Sequence, residues 1–406
     1  MNDGLPPYIG FAGLWRLEIS GLEIARLGPM LEARIARNPL DAEAMMDVAT
    51  LSILTLNPEN RAAAFAMQAR ALAIRRIYTI PASREPVGLR VLAIASAGDM
   101  TSLTPLDCLL EGADVELQML YALPGEGIPA DLPPHDLVFV AIGESPANRP
   151  VLAKVSEFTR RCGKPVLNAP ESILRLSRDR VARMLREVEG VAMPATAGVA
   201  RNALEEVASG ARDVAELLED GAFPIIARPL DSQGGKDLDR LEGPGALSAY
   251  LARTPGDAFF VSHFVDYSGH DGYFRKYRVV MIGGRAFACH MAIADRWMIH
   301  YVNADMDASS WKRGEEARFM DEFDSGFASR HARALSGIDA QLGLDYYAID
   351  CAETRDGELL VFEADTAMLV HAMDPADLYP YKSAHMRKIF EAFRGLLGTA
   401  AARMTS

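Results

Sequence analysis

The chain changes rhythm three times. From about Gly21 to Ile77, apolar and alanine positions recur at helical spacing, and no β-branched alternation competes with them. Two breaks, Asn38-Pro39 and Asn57-Pro58, are each followed by an acidic residue and an apolar periodic run, the order that opens a helix. The stretch IPASREPVG then reads as a linker. Beyond it, short apolar runs at 89–96, 116–121, 137–142 and 165–167 read as buried strands, alternating with helical stretches such as 151–161. That alternation predicts a small doubly wound α/β domain. From about Ser177 the pattern becomes α+β. Helices are expected at 178–188, 204–218 and 331–342, with strands at 223–227, 259–264, 277–282 and 286–293.

The fold class expected is therefore mixed α/β and α+β in several domains. Boundaries fall at 1–85 (helical), 86–176 (α/β), 177–265 and 266–406. A length of 406 residues agrees, being too great for one ordinary core. Lys and Arg number 42 against 55 Asp and Glu, a net charge of −13, which argues against nucleic acid or an anionic membrane as partner. The four cysteines form no CxxC pair, so reduced, mostly buried thiols are expected rather than disulfides or zinc. The sequence starts with no basic region followed by an apolar run, and no apolar stretch reaches membrane-spanning length. A cytoplasmic protein is expected. The first α/β strand ends in Ser96-Ala97-Gly98-Asp99, whose single glycine disfavours a dinucleotide fold.

The densest chemistry lies in YYAIDCAETRDGELLVFEAD. Two β-rich runs flank Asp356-Gly357, a pair that favours a two-residue type I′ turn. Such a turn sets Arg355 against Glu358 and Asp350 against Glu363, with Asp365 two residues on and on the same face. Ile349, Cys351, Leu360 and Phe362 fall on the other face. Opposed like charges destabilise a hairpin. A hard divalent cation resolves them, and oxygen-only ligands suit Mg2+ or Mn2+. The alternative is a wet face whose charges are solvated.

A second constellation is FPIIARPLDSQGGKDLDRL. Ser232, Gln233, Gly234 and Gly235 leave backbone N–H groups open to phosphate oxygens, while Arg228 and Lys236 add positive charge. A plain surface turn is the alternative, and the GKS/T ending of a P-loop is absent. Together, a basic glycine-rich lid and an acidic metal face are the two halves of a site for a magnesium nucleotide.

In this order the motifs resemble the ATP-grasp superfamily over roughly residues 88–398. Asp179-Arg180 opens a helix before GVAMP; PIIARP and its loop follow, then FFVSHFVDY, KYRVVMIGGRAFACHMAI and the acidic hairpin. The resemblance implies a pre-ATP-grasp domain at 86–176 and two grasping subdomains at 177–265 and 266–406. It implies that Arg180 and Arg228 contact ATP phosphates, that residues 232–235 form the lid, and that the backbone at His263, Phe264 and Val265 meets adenine. Arg278 would act near the γ-phosphate or the acyl phosphate, and Asp350, Glu363 and Asp365 would hold the metal. The chain departs from the family in having arginine for lysine at 180 and 228, histidine for glutamate at 263, and aspartate for asparagine at 365.

The implied reaction is ATP-driven activation of a carboxylate to an acyl phosphate, attacked by an amine or similar nucleophile. His290, Asp295, Trp297, His300 and Asn303 crowd one short stretch and are candidate substrate contacts, a structural loop being the alternative. Within Arg275, Lys276 and Arg278, one or two charges are expected to be only solvated. The N-terminal helix pair resembles one tetratricopeptide-like unit. Such repeats need about three copies to bury a continuous core, so a small bundle packed on the next domain is the alternative. A small-molecule or peptide substrate is the expected partner, with a protein partner at these helices and a homodimer both left open. A non-catalytic nucleotide-binding scaffold and an ATP-grasp phosphotransferase are the competing functions.

Overall fold

The structure is a computed structural model that describes residues 7–403 apart from 20–23, 55–57, 220, 231 and 233. Gly21, Asn57 and Gln233 lie outside the described residues. The chain forms two compact units. One comprises Met1–Leu174, Leu344–Tyr346 and Thr366–Ser406; the other comprises Arg175–Gly343 and Tyr347–Asp365.

The first unit opens with helices α1 (Gly10–Ile19), α2 (Ile24–Arg37), α3 (Ala42–Leu54) and α4 (Pro58–Ile74). Leu14, Leu27, Leu31, Ala44 and Leu51 form the core shared by the first three. One α3–α4 pair is present, and no further copy of it follows among the described residues. Buried Asp47 and half-buried Asp107 receive N–H groups at the start of α1, which a helix leaves unpaired. Asp47 accepts from Ile9 and Gly10, and Asp107 from Ala12. Burial pushes the Asp47 carboxyl up to about 7, against the pull of those N–H groups.

Strands β1 (Ile77–Ile80) and β2 (Leu89–Ser96) follow, then α5 (Leu106–Leu109), β3 (Val115–Ala122), β4 (Leu137–Val140), α6 (Arg149–Thr159), β5 (Val166–Leu167) and α7 (Pro170–Ile173). The sheet order is β1-β3-β2-β4-β5, parallel except for β1. The expected parallel strands are therefore present. The antiparallel edge β1 is an addition, hidden in sequence because IYTI continues straight from a helical run.

The second unit begins with α8 (Arg178–Leu185), β6 (Val191–Ala192), β7 (Thr196–Ala200) and α9 (Arg201–Ser209). Gly210 ends α9 in the left-handed region, at φ 78°, so the helix expected to run to 218 stops a turn and more earlier. Next come β8 (Ile225–Pro229), β9 (Asp239–Leu241), α10 (Pro244–Arg253), β10 (Ala258–His263), β11 (Phe274–Ile282) and β12 (Arg285–Ala294). The series closes with α11 (Ser310–Asp321), α12 (Phe327–Arg330), α13 (Ala332–Leu342), β13 (Tyr346–Glu353) and β14 (Leu359–Asp365). One sheet, β7-β10-β8-β9, packs on α9 and α10 through Leu204, Val207, Leu247, Tyr250, Phe259 and Val261. The other has the order β12-β11-β13-β14-β6.

The last helix, α14 (Lys382–Ala402), belongs to the first unit rather than to the acidic hairpin that precedes it. Its Phe393 ring sits against Phe139 at 5.7 Å and Tyr346 at 5.1 Å, and Arg394 pairs with Asp114 at 2.6 Å. A boundary drawn at 266–406 therefore merges two pieces with different cores. No helix among the described residues is long and apolar enough to cross a membrane.

Candidate nucleotide and metal site

Asp350 on β13 stands opposite Glu363 on β14, and Asp365 opposite Ala348. The register arises differently from the two-residue turn expected. Thr354 and Glu358 bracket a three-residue loop, with the Gly357 N–H donating to the Thr354 carbonyl at 3.0 Å and Gly357 at φ 84°. That longer loop shifts the pairing by one, so Glu353 meets Leu359 and Cys351 meets Val361. A bulge between Asp350 and Cys351, which leaves Phe362 as the extra residue, shifts it back.

The neighbouring ladder has a matching irregularity. Arg278 on β11 faces His290 on β12, and the register slips immediately beyond, before Val279. Arg278 reaches Asp350 through Nε at 2.7 Å and a second guanidinium N–H at 3.0 Å. His290, Arg278, Asp350 and Glu363 thus form one row across four strands, with both bulges at its level.

Asp350 is only 2% exposed, and Lys276 adds a third donor to it at 2.9 Å. Burial alone would raise this carboxyl; Arg278 and Lys276 overcome it and hold it well below the usual carboxylate range. Glu363 remains 32% exposed and accepts from Arg178 at 2.6 Å. Burial raises its carboxyl too, and the charges of Arg178, Arg228 and Lys276 together outweigh it, leaving the group lowered. Among the described residues no three His, Cys, Asp or Glu side chains close into a metal-holding group. Both oxygens of Asp350 accept from ammonium and guanidinium hydrogens, and Oε2 of Glu363 accepts from one guanidinium.

Arg178, two residues before Arg180, is the cation that reaches Glu363. Both lie in the first turn of α8, two positions apart and so on different sides of the helix. Arg178 faces Glu363 and lies over the Phe260 ring at 5.9 Å, while Arg180 is exposed. Period-2 alternation along β11 sorts the other cations: Lys276 and Arg278 share Asp350, and Arg275 pairs instead with Asp271 and Glu315.

The glycine-rich loop leaves β8 at Arg228, which is 9% exposed. Its Nε donates to Ser232 Oγ at 3.0 Å, and a second N–H donates to the Ser232 carbonyl. Burial, with the Arg178 charge nearby, pulls its pKa down to about 10. The guanidinium therefore shapes the loop as well as charging it. Gly234 and Gly235 follow at φ 59° and 72°, and Lys236 is exposed. A Cβ on Gly235 would come 2.2 Å from His300 Nε2, so the loop backbone lies directly against that imidazole, whereas one on Gly234 would meet nothing. Burial, then the Lys276 charge, lowers the His300 pKa and so favours the neutral imidazole.

Gly235→Ala is expected to cost about 1–3 kcal/mol in backbone strain and to swing His300 off the loop. Gly234→Ala should carry the strain alone. Thermal unfolding together with ATP affinity separates the two: only Gly235→Ala should lose affinity beyond its loss of stability.

The remaining candidates divide. The His300 backbone N–H donates to Asn303 Oδ1 at 3.0 Å, and the His290 ring lies 4.9 Å from Tyr301, so these three gather on the row's side. Trp297 packs instead on Phe264 at 5.8 Å, and Asp295 is exposed. At the end of β10, the Phe264 N–H is already given to the Pro224 carbonyl at 3.1 Å, and His263 Nδ1 lies 3.1 Å from the Ala222 carbonyl. The Val265 side chain is half-buried.

No model of a known protein family matches this sequence, and no curated protein does. Solved structures of similar fold exist. A VanG D-Ala:D-Ser ligase from Enterococcus faecalis aligns over 76% of this chain and 99% of its own, at 13% identity and a TM-score of 0.48. A RimK domain protein ATP-grasp from Sphaerobacter thermophilus covers 75% and 98%, at 17% identity and 0.41. A D-alanine–D-alanine ligase from Bacillus anthracis, complexed with ATP, covers 78% and 99%, at 11% identity and 0.45.

Proposed function

We propose that this chain is an ATP-grasp ligase, which uses ATP to activate a carboxylate as an acyl phosphate and joins it to an amine or similar nucleophile. The observation that carries this reading is the row at Asp350 and Glu363. Four cationic side chains (Lys276, Arg278, Arg178 and Arg228) act on those two carboxylates, beside a glycine-rich loop. Cations in excess suit a polyanion, and carboxylates among them suit the metal that travels with polyphosphate.

Asp350, Glu363 and Asp365 would hold Mg2+ or Mn2+; their oxygen donors fit a hard cation once phosphate has drawn off the basic side chains. The ion would supply charge compensation on the phosphates. Arg278, Lys276 and Arg178 would bind and orient the phosphoryl group being transferred, and Arg228 would set the loop over it through Ser232. A carboxylate oxygen of the substrate attacks the γ-phosphorus and ADP leaves. The nucleophile then attacks the acyl carbon, phosphate leaves, and the amine loses a proton. His300, its neutral form favoured and its ring placed against Gly235, is suited to take that proton at Nε2.

The reading implies a cytoplasmic enzyme with a small-molecule or peptide substrate; the N-terminal helices are a candidate surface for a protein partner or for a homodimer. A screen of amino acids and short peptides for stimulated ADP release, with mass analysis of products, tests it. Stimulated ADP release with a ligated amide is the expected result. A phosphorylated product without an amide would mark a phosphotransferase, and nucleotide binding without turnover would mark a scaffold.

A further inference from the structure

Two of the three carboxylates expected to receive the metal, Asp350 and Glu363, already accept from the protein's own cations. Both oxygens of Asp350 accept hydrogen bonds, Oδ1 from Arg278 and Oδ2 from Lys276 and Arg278. Glu363 Oε2 accepts from Arg178. The Lys276 and Arg278 side chains are 13% and 17% exposed, so little water shields these pairs. A lone divalent cation arriving here meets two engaged carboxylates and an excess of positive charge, and repulsion at a few ångströms in such a setting is strong. A polyphosphate meets the opposite situation, because its oxygens can take over those same cationic side chains.

We propose that Lys276, with Arg278 and Arg178, is an internal stand-in for the divalent cation. These side chains occupy Asp350 and Glu363 until polyphosphate draws them away, so that metal and polyphosphate bind as a unit and metal alone does not. This rests on the nucleotide reading above and adds a positioning role for Lys276. The role is distinct from neutralising Asp350 for folding, since it concerns which ion the carboxylate accepts.

The test uses the full chain, Mn2+ followed by electron paramagnetic resonance, and inorganic tripolyphosphate followed by calorimetry. Wild-type protein should bind Mn2+ weakly alone and at least about tenfold more tightly with tripolyphosphate present. Lys276→Gln should raise the affinity for Mn2+ alone by roughly tenfold or more, and Lys276→Arg, which keeps the charge, should restore the wild-type pattern. A circular dichroism melt establishes that each variant is folded; should Lys276→Gln not fold, Lys276→Met is measured in its place with the same expected gain in affinity for Mn2+ alone. If tripolyphosphate binds but Mn2+ affinity is indifferent to it, the stand-in role fails while the nucleotide reading survives. Folded Lys276→Gln with unchanged Mn2+ affinity has the same consequence. Absence of saturable tripolyphosphate binding would remove both.

Discussion

Glu363→Gln is expected to lower ATP turnover by about 10²–10³-fold, the scale seen when one preorganised electrostatic group is deleted from a reacting centre. The substitution keeps shape and one oxygen acceptor, but removes the charge that faces Asp350 across the hairpin. Because Glu363 is 32% exposed, its loss should lower the unfolding midpoint less than loss of the buried Asp350. Steady-state ADP release beside a thermal melt separates the two quantities. Turnover equal to wild type would remove Glu363 from the metal assignment.

Asp350→Ala should behave differently, as a stability variant first. It leaves Lys276 and Arg278 largely buried with their shared carboxylate gone, and breaking one partner out of a buried ion cluster costs about 3–5 kcal/mol. Removing Lys276 as well, as Asp350→Ala with Lys276→Met, should recover part of that loss, since an uncompensated ammonium is then no longer buried. Denaturant unfolding of both single variants and the double variant reads the coupling. Additive losses would mean that the Lys276–Asp350 pair contributes nothing of its own.

These residues also show where sequence reasoning works and where it stops. Strands such as Leu89–Ser96 were legible because a run buried on both faces must be apolar throughout. The Asp350–Glu363 pairing was legible in outcome but not in cause. The turn is one residue longer than Asp356-Gly357 implies, and the bulge at Phe362 cancels the difference. No local pattern marks a bulge, because it is fixed by what packs on either side of the strand. Arg178 and Arg180 look alike in sequence, and only the direction in which α8 enters the sheet selects Arg178. Lys276 could have been separated from Arg275 by strand alternation alone, once Arg278 was taken to point inward. The occupation of Asp350 by Lys276 and Arg278 was beyond reach, since it depends on β11 lying next to β13, a tertiary fact. The placement of α14 with the first unit has the same origin, in ring contacts of Phe393 far from its own stretch of chain.

The central claim is that this cation-rich row binds the phosphates of a magnesium nucleotide, and calorimetric titration with ATP in excess Mg2+ tests it most directly. Saturable one-site binding to the wild type, weakened at least about tenfold by Arg178→Ala together with Lys276→Gln, is the predicted result. Absence of saturable binding, or binding that the double variant leaves unchanged, would contradict it.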